Sequence, residues 1–396
     1  MQTSKSLTSH TITSLENFIS QRWLVLGYVV LLTGLFWLPS GSLHTKLFYA
    51  LMAAPALIGL LLKPQQLGRI IREPIILTFV VFSAWVLISL GWTESDHSLA
   101  KLAKRPVYIF LFMAGCAMIA CKDQRLLLSA LRIAAIIATL AALANLLVHL
   151  SINPLGKRLI GFGALRNPLL TSHVFGLFCT YWIASWMIRN EQRPWLALWL
   201  ALPLLAALLA TGSRTPIMAL TLTCLWMLLL AGRRALAVLA AIALTGGVLA
   251  LLLPEIWLER GTSFRPQLWS EALRQASEQI WLGKGYDSSF VFKVEGLNFD
   301  LSDPHNVELA VLLELGLIGL TLWLTLYGLA LARCFKLRHA QPFQLASALI
   351  VYGFFAGMTE GSSFLSRPNE NWFIVWIPLA LFAALSLARR QSVSEQ

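Results

Sequence analysis

The stretch Asp303-Pro304-His305-Asn306-Val307-Glu308 sets a titratable imidazole between two carboxylates, just before a long apolar run. Asp303 suits a helix N-cap and Pro304 the first helical position, which puts His305 and Asn306 in a first turn. Glu308 then lies three residues on, on the face of His305 and one turn deeper. A carboxylate against an imidazole fixes its tautomer and raises its basicity, the arrangement of a general base acting on a hydroxyl. Glu308 or Asp303 is the expected orienting group. The competing reading is an interfacial histidine that hydrogen-bonds lipid headgroups, with Glu308 only favouring the helix.

Arginines supply the complementary charge. Arg214 sits in the tight turn Thr211-Gly212-Ser213-Arg214-Thr215-Pro216 between two strongly apolar runs. A cation there needs an anionic partner or deep water. Arg265 opens an amphipathic segment in a long polar stretch. Guanidinium forks meet phosphate oxygens in pairs and stay charged when partly desolvated. A diphosphate suits both, and lipid headgroups are the plainer partner. Lys101, Lys104 and Arg105 form a second basic cluster, Arg166 lies in the 151–170 connection, and Arg367 and Glu370 lie in the last one. Each is a lipid-phosphate anchor or a wall of the same anion-binding chamber. The chain has no Gly-rich phosphate loop with a Walker lysine, no defensible serine–histidine–acid set and no Asp-x-Asp pair. No metal site is therefore expected, and neutralising a leaving group falls to the arginines. The 5 cysteines fall in apolar runs and read as buried thiols.

These residues need a membrane to hold them. Of 396 residues, 57% are hydrophobic and 13% charged, about half the charge of an ordinary soluble domain. Too few polar groups remain to cover a water-facing surface, so the chain is an all-α membrane protein. Apolar runs near residues 23–38, 47–62, 75–91, 107–121, 126–150, 173–188, 196–210, 217–231, 235–253, 307–332, 343–358 and 372–387 give about 12 transmembrane helices in one polytopic domain over 1–396. Lysines and arginines in the short connections put both termini in the cytoplasm. His305 and the cations above then share the outer face. One large periplasmic loop, 254–304, joins the ninth and tenth spans, and its middle, Pro266–Ile280, is an amphipathic helix expected to lie on the membrane surface. Trp269, Trp281 and Trp372 are expected interfacial anchors. The net charge of +12 points to phosphate-bearing lipids or substrates and not to nucleic acid.

Three segments, in this order, resemble the O-antigen ligase/polymerase superfamily of bacterial membrane glycosyltransferases. They are Thr211–Pro216, then Arg265 through Trp269 to Leu282-Gly283-Lys284-Gly285, then His305-Asn306 with Glu314-Leu-Gly-Leu-Ile-Gly319. The resemblance covers roughly residues 106–378. It implies a periplasm-facing site that takes an undecaprenyl-pyrophosphate-linked glycan and, in the ligase branch, a sugar hydroxyl of lipid A–core oligosaccharide. It implies an inverting reaction that uses neither metal nor cofactor, with His305 as base and Arg214 and Arg265 as diphosphate clamps. Arg105, Lys104, Arg166, Asn306, Glu308 and Arg367 are the expected substrate contacts. A polymerase or a protein O-oligosaccharyltransferase would use the same donor. A flippase would need polar groups along a midplane path, and the mid-span positions are almost purely apolar.

Overall fold

The computed structural model describes residues 13–153, 157–188, 193–252, 264–294, 298–361 and 363–394. Every apolar run named above is helical over most of its described length, the last one broken at Val375. In chain order the helices are α1 (Thr13–Trp37), α2 (Gly41–Leu62), α3 (Pro64–Ile71), α4 (Pro74–Ser89), α5 (Leu99–Ile152), α6 (Pro168–Met187) and α7 (Pro194–Ala210). There follow α8 (Thr215–Ala231), α9 (Arg233–Leu252), α10 (Arg265–Glu278), α11 (Val307–Lys336), α12 (Gln341–Gly357), α13 (Asn371–Ile374) and α14 (Trp376–Ser394). The only strand-like pairing among the described residues is an isolated bridge between Phe292 and Leu301. By length and composition, 4 of the described helices are able to cross a membrane, or 5 if the pair α3 and α4, bent by 89°, is one span.

One of the four is two helices in series. α5 has 54 residues and leaves helical geometry at Asp123 (φ −158°, ψ 109°). Asp123 then caps the second half by accepting from the Arg125 N–H at 2.8 Å. At a 1.5 Å rise per residue, an unbroken helix of this length would be more than twice as long as the hydrocarbon core of a bilayer is thick. The contacts run in opposite directions from the break. Lys122 reaches Glu16 on α1, as does Lys63 at the end of α2. Arg105, before the break, and Asn145, after it, both lie at the other end. There Arg105 meets the Leu365 carbonyl and Asn145 accepts from Phe162 N–H at 2.8 Å. The chain therefore turns back at Asp123.

These contacts sort the basic residues by end. Glu16, Lys63 and Lys122 mark one end. His305, Arg105 and Arg367 lie at the opposite end, with Arg166, which donates to the Pro39 carbonyl, and Arg158, which donates to the Thr211 carbonyl. The division matches the two faces read from the sequence.

The 254–304 loop is described from residue 264 to 294 and from 298 onward. Its amphipathic helix, α10, does not lie free on a surface. Leu268, Ala272 and Ala276 pack on Leu312 and Leu313 of α11 and on Phe290, Phe292 and Val294. The apolar face read as membrane-facing finds its partner within the protein. Trp372 is likewise fully buried, at 0% exposure, and packs edge-on to Phe48. Trp281, at 66% exposure, keeps the surface position expected of an anchor.

Behind α10 the chain makes its most constrained junction. α11 is interrupted at Gly316 (φ +65°). A Cβ there would collide with the Trp281 carbonyl, and one on Gly283 (φ +69°) would sit 2.5 Å from the Glu314 carbonyl carbon. The segment 280–285 fills the break. Lys284 and Gly285 N–H groups donate to the Leu313 and Glu314 carbonyls at 2.9 Å each, and Leu317 N–H donates to the Ile280 carbonyl at 2.8 Å. Trp85 Nε1–H takes the Leu315 carbonyl at 3.0 Å. These bonds give the Leu313, Glu314 and Leu315 carbonyls and the Leu317 N–H partners across the break. The glycines of Leu282–Gly285 and Glu314–Gly319 are thus two halves of one joint.

Candidate active site

The break positions the end of α11 that carries the histidine, although the start of that helix differs from the sequence reading. Asn306 is the N-cap, with Oδ1 accepting from Leu309 N–H at 2.9 Å, and the first helical residue is Val307. Asp303 instead accepts from His305 N–H at 2.7 Å and turns the chain before the helix. His305 adopts φ +48° in that turn. Because it lies outside the helix, the three-residue spacing does not bring Glu308 beside it. Glu308 lies against Trp323 and Tyr327, farther along α11.

The carboxylate at the histidine is Glu360, 55 residues away at the end of α12. His305 Nδ1 lies 2.9 Å from Glu360 Oε1, and Arg265 Nη2 donates to Glu360 Oε2 at 3.0 Å. Glu360 is 5% exposed. One buried carboxylate therefore holds a histidine from the α10–α11 connection and an arginine from the first turn of α10. Gly361 (φ +88°) turns the chain directly after it, close to Val307 and Asn371. Trp269 fixes α10 to the histidine turn by donating Nε1–H to the Pro304 carbonyl at 3.1 Å.

The electrostatics follow from this geometry. The Glu360 hydrogen bond holds His305 above the ordinary imidazole value against the opposing effects of burial and Arg265, and the charges of Glu360 and Asp303 add to it. Burial pushes the Glu360 carboxyl up. The hydrogen bond to His305 and the charges of His305, His173 and Arg265 together outweigh it, and the carboxyl stays below its usual range. With Nδ1 committed to Glu360, Nε2 is the ring nitrogen available for proton exchange.

A second group of cations stands apart. Lys46, Lys101, Arg105 and Arg367, with His97, line an open cavity of about 770 Å³ that shares no lining residue with the histidine cluster. Arg105 is already engaged, donating to Asp287 Oδ1 at 2.7 Å and to Tyr286 Oη at 2.9 Å. Tyr286 Oη in turn donates to the Leu365 carbonyl at 2.5 Å, and Asp287 N–H donates to Glu314 Oε2 at 2.6 Å. Burial raises the Asp287 carboxyl, but its bonds to Ser95, Arg105 and His97 win and hold it below its usual value.

Of the residues singled out in the sequence, His305 and Arg265 come together, and Arg105 and Arg367 share the cavity wall. Arg214 is exposed at the N-cap of α8, at the same end of the molecule. Lys104 is exposed and does not line the cavity, whereas Lys101, one turn from Arg105, does. Asn306 spends its side-chain oxygen on the helix cap.

The comparisons with known proteins bear on the same segments. An O-antigen ligase family model matches residues 196–324, which include Arg214, Arg265, the joint at Gly316 and His305. The chain is also 42% identical, over 387 residues, to the O-antigen ligase of Pseudomonas aeruginosa, covering 96% of this chain and 94% of that one. The chain belongs to the O-antigen ligase family. Membership makes it a membrane enzyme of the glycosyltransferase type. Glu360, beyond the matched segment, is the site residue that sequence reading missed. Its only local signal is a carboxylate followed by glycine at the end of an apolar run.

Proposed function

We propose that this O-antigen ligase family member transfers a glycan from undecaprenyl pyrophosphate to a sugar hydroxyl of lipid A–core oligosaccharide. The reaction occurs on the periplasmic face of the inner membrane, with inversion and without a metal. The observation that carries the reading is the Glu360 bridge, which holds a proton acceptor and a permanent cation on one carboxylate. In this reading His305 Nε2 takes the proton of the acceptor hydroxyl as its oxygen attacks the anomeric carbon. The bond from that carbon to the diphosphate oxygen breaks on the opposite side. Undecaprenyl pyrophosphate leaves with its charge met by Arg265 and Arg214. Glu360 stabilises the imidazolium that forms.

The topology that goes with this has about 12 spans and both termini in the cytoplasm. The gathering of Arg105, Arg166, Arg265 and Arg367 at the His305 end, away from Lys63 and Lys122, supports it. A broken helix such as α11 is also a hallmark of transporters. Here the break is filled by backbone from residues 280–285, which weighs against an ion or substrate path through it.

The test compares lipopolysaccharide from cells carrying wild type, His305→Ala, Arg265→Ala and Glu360→Ala. Lipid A–core without long O-chains, with lipid-linked polymer accumulating, is the expected result. Polymer shortened to a single repeat would point to a polymerase instead. Full-length lipopolysaccharide in all three variants would sink the assignment. A reporter fused after Thr211 or within the 254–304 loop must read periplasmic.

A further inference from the structure

The cavity around Lys101 has a composition that the transfer site does not account for. Its cations come from three separate parts of the chain: Lys46 from α2, Lys101 and Arg105 from one face of α5, and Arg367 from the connection before α13. No lining residue is acidic. Asp287 neutralises Arg105 from behind the wall and also holds His97. Lys46, Lys101 and Arg367 are exposed and add three like charges around one space. Like charges gathered in this way repel, and an anion placed among them removes the penalty.

The remaining wall narrows the kind of anion. It includes Ser42, Thr45, Ser366, Tyr49, Tyr108 and Asn369. Hydroxyl, phenol and amide groups beside cations suit a sugar that carries an anionic substituent. The volume of about 770 Å³ lies in the range of small-ligand pockets, which suits a few sugar rings.

Position supplies the link to catalysis. Glu360 lies early in the connection after α12, and the later residues Ser363, Ser366, Arg367 and Asn369 of that connection line the cavity. Leu365, between them, is held by Tyr286 and Arg105. A saccharide anchored in the cavity is thereby fixed relative to the carboxylate that orients His305.

We propose that this cavity is an acceptor subsite that recognises phosphoryl groups on the acceptor oligosaccharide. The proposal rests on the transferase reading above and adds to it the property by which the acceptor is chosen. The phosphate of a phospholipid headgroup offers the same chemistry, so the test separates the two sources.

Purified protein in phosphatidylcholine nanodiscs is assayed with a phosphorylated acceptor oligosaccharide and with the same acceptor after phosphatase treatment. Wild type should prefer the phosphorylated form at least tenfold in kcat/KM. In the double variant Lys101→Gln/Arg367→Gln that ratio should fall toward one, through acceptor KM, with donor KM unmoved. Inorganic phosphate should compete with the acceptor in wild type and not in the variant. Equal losses on both acceptors, or a shift confined to donor KM, overturns the proposal. A ratio that changes only when phosphatidylglycerol is added assigns the cavity to headgroups and also overturns it. Activity surviving in His305→Ala on both acceptors would instead mark failure of the transferase reading itself.

Discussion

His305 Nδ1 and Glu360 Oε1 lie 2.9 Å apart, and the second oxygen of the same carboxylate takes Arg265 Nη2 at 3.0 Å. The carboxylate therefore sets both the tautomer of the histidine and the place of the arginine. A group that orients a base leaves a mark on the pH profile that a purely structural group does not.

Glu360→Gln keeps the shape and removes the charge. The working form of a base is the neutral imidazole, so kcat/KM falls as pH drops through the His305 pKa. Glu360 raises that pKa, whereas burial and Arg265 lower it. Without the carboxylate charge the lowering influences win. The acidic limb should move to lower pH while the plateau drops on the order of a hundredfold, within the usual contribution of general-base catalysis. A pH series of kcat/KM for the purified variant checks this. An acidic limb that stays in place, or moves up, would show that Glu360 does not act through His305.

What the sequence made legible depended on how local each determinant is. The helices could be read because apolar runs in lipid must satisfy their own backbones, and the break at Asp123 fell between two such runs. His305 and Arg265 carried local signals of residue type and spacing. Glu360 did not, because its relation to His305 exists only after the end of α12 folds over the start of α11. Glu308 is a plausible partner only for a helical His305, and Asn306 settles the competition. Asparagine is as good an N-cap as aspartate, and once it caps the helix, Asp303 is left to bind the His305 amide in a turn. The apolar face of α10 was visible as periodicity, but periodicity does not say whether protein or lipid covers it.

The joint at Gly316 should be intolerant of any side chain. Gly316→Ala places a Cβ in a left-handed conformation and against the Trp281 carbonyl. This positive-φ, extended-ψ conformation is essentially reserved for glycine and costs another residue roughly 1–3 kcal/mol, and relief of the collision would pull 280–285 out of the break and strand buried carbonyls. The variant should melt at a lower temperature in detergent and lose transfer activity together with its fold. Gly328→Ala, in the same helix with open space at its Cβ position, should leave the melting temperature near or above wild type. Equal melting of Gly316→Ala and wild type would mean the break does not hold the loop.

Trp269 tests whether α10 positions the histidine or only covers it. Its Nε1–H is given to the Pro304 carbonyl at 3.1 Å, one residue before His305. Trp269→Phe retains most of the ring area and removes that one donor. Losing a neutral hydrogen bond of this kind costs about 1 kcal/mol, so the protein should stay folded. If the bond serves to place His305, the loss appears in kcat, several-fold, with acceptor and donor KM nearly constant, because ground-state contacts are untouched. If α10 only covers the site, kcat should stay at the wild-type value and only the melting temperature should fall. Steady-state kinetics beside a thermal melt separates the two outcomes on one preparation.

Asp287 presents the opposite case, a carboxylate whose partners are structural. It takes Arg105 at 2.7 Å and Ser95 at 2.6 Å, and its own N–H holds Glu314, the residue two before the α11 break. Asp287→Asn leaves Arg105 without its counter-charge in a partly buried place, where removing one partner of an ion pair is destabilising. Both side chains are about one-fifth exposed, so solvent tempers the effect to about 1–3 kcal/mol. The thermal midpoint should fall accordingly. Arg105 is then released toward the cavity, which gains a positive charge. Inorganic phosphate should bind more tightly to Asp287→Asn than to wild type, and the difference should shrink with added salt as Coulomb attraction is screened. Weaker phosphate binding in a folded Asp287→Asn would show that Asp287 holds Arg105 in its binding position, rather than holding it back.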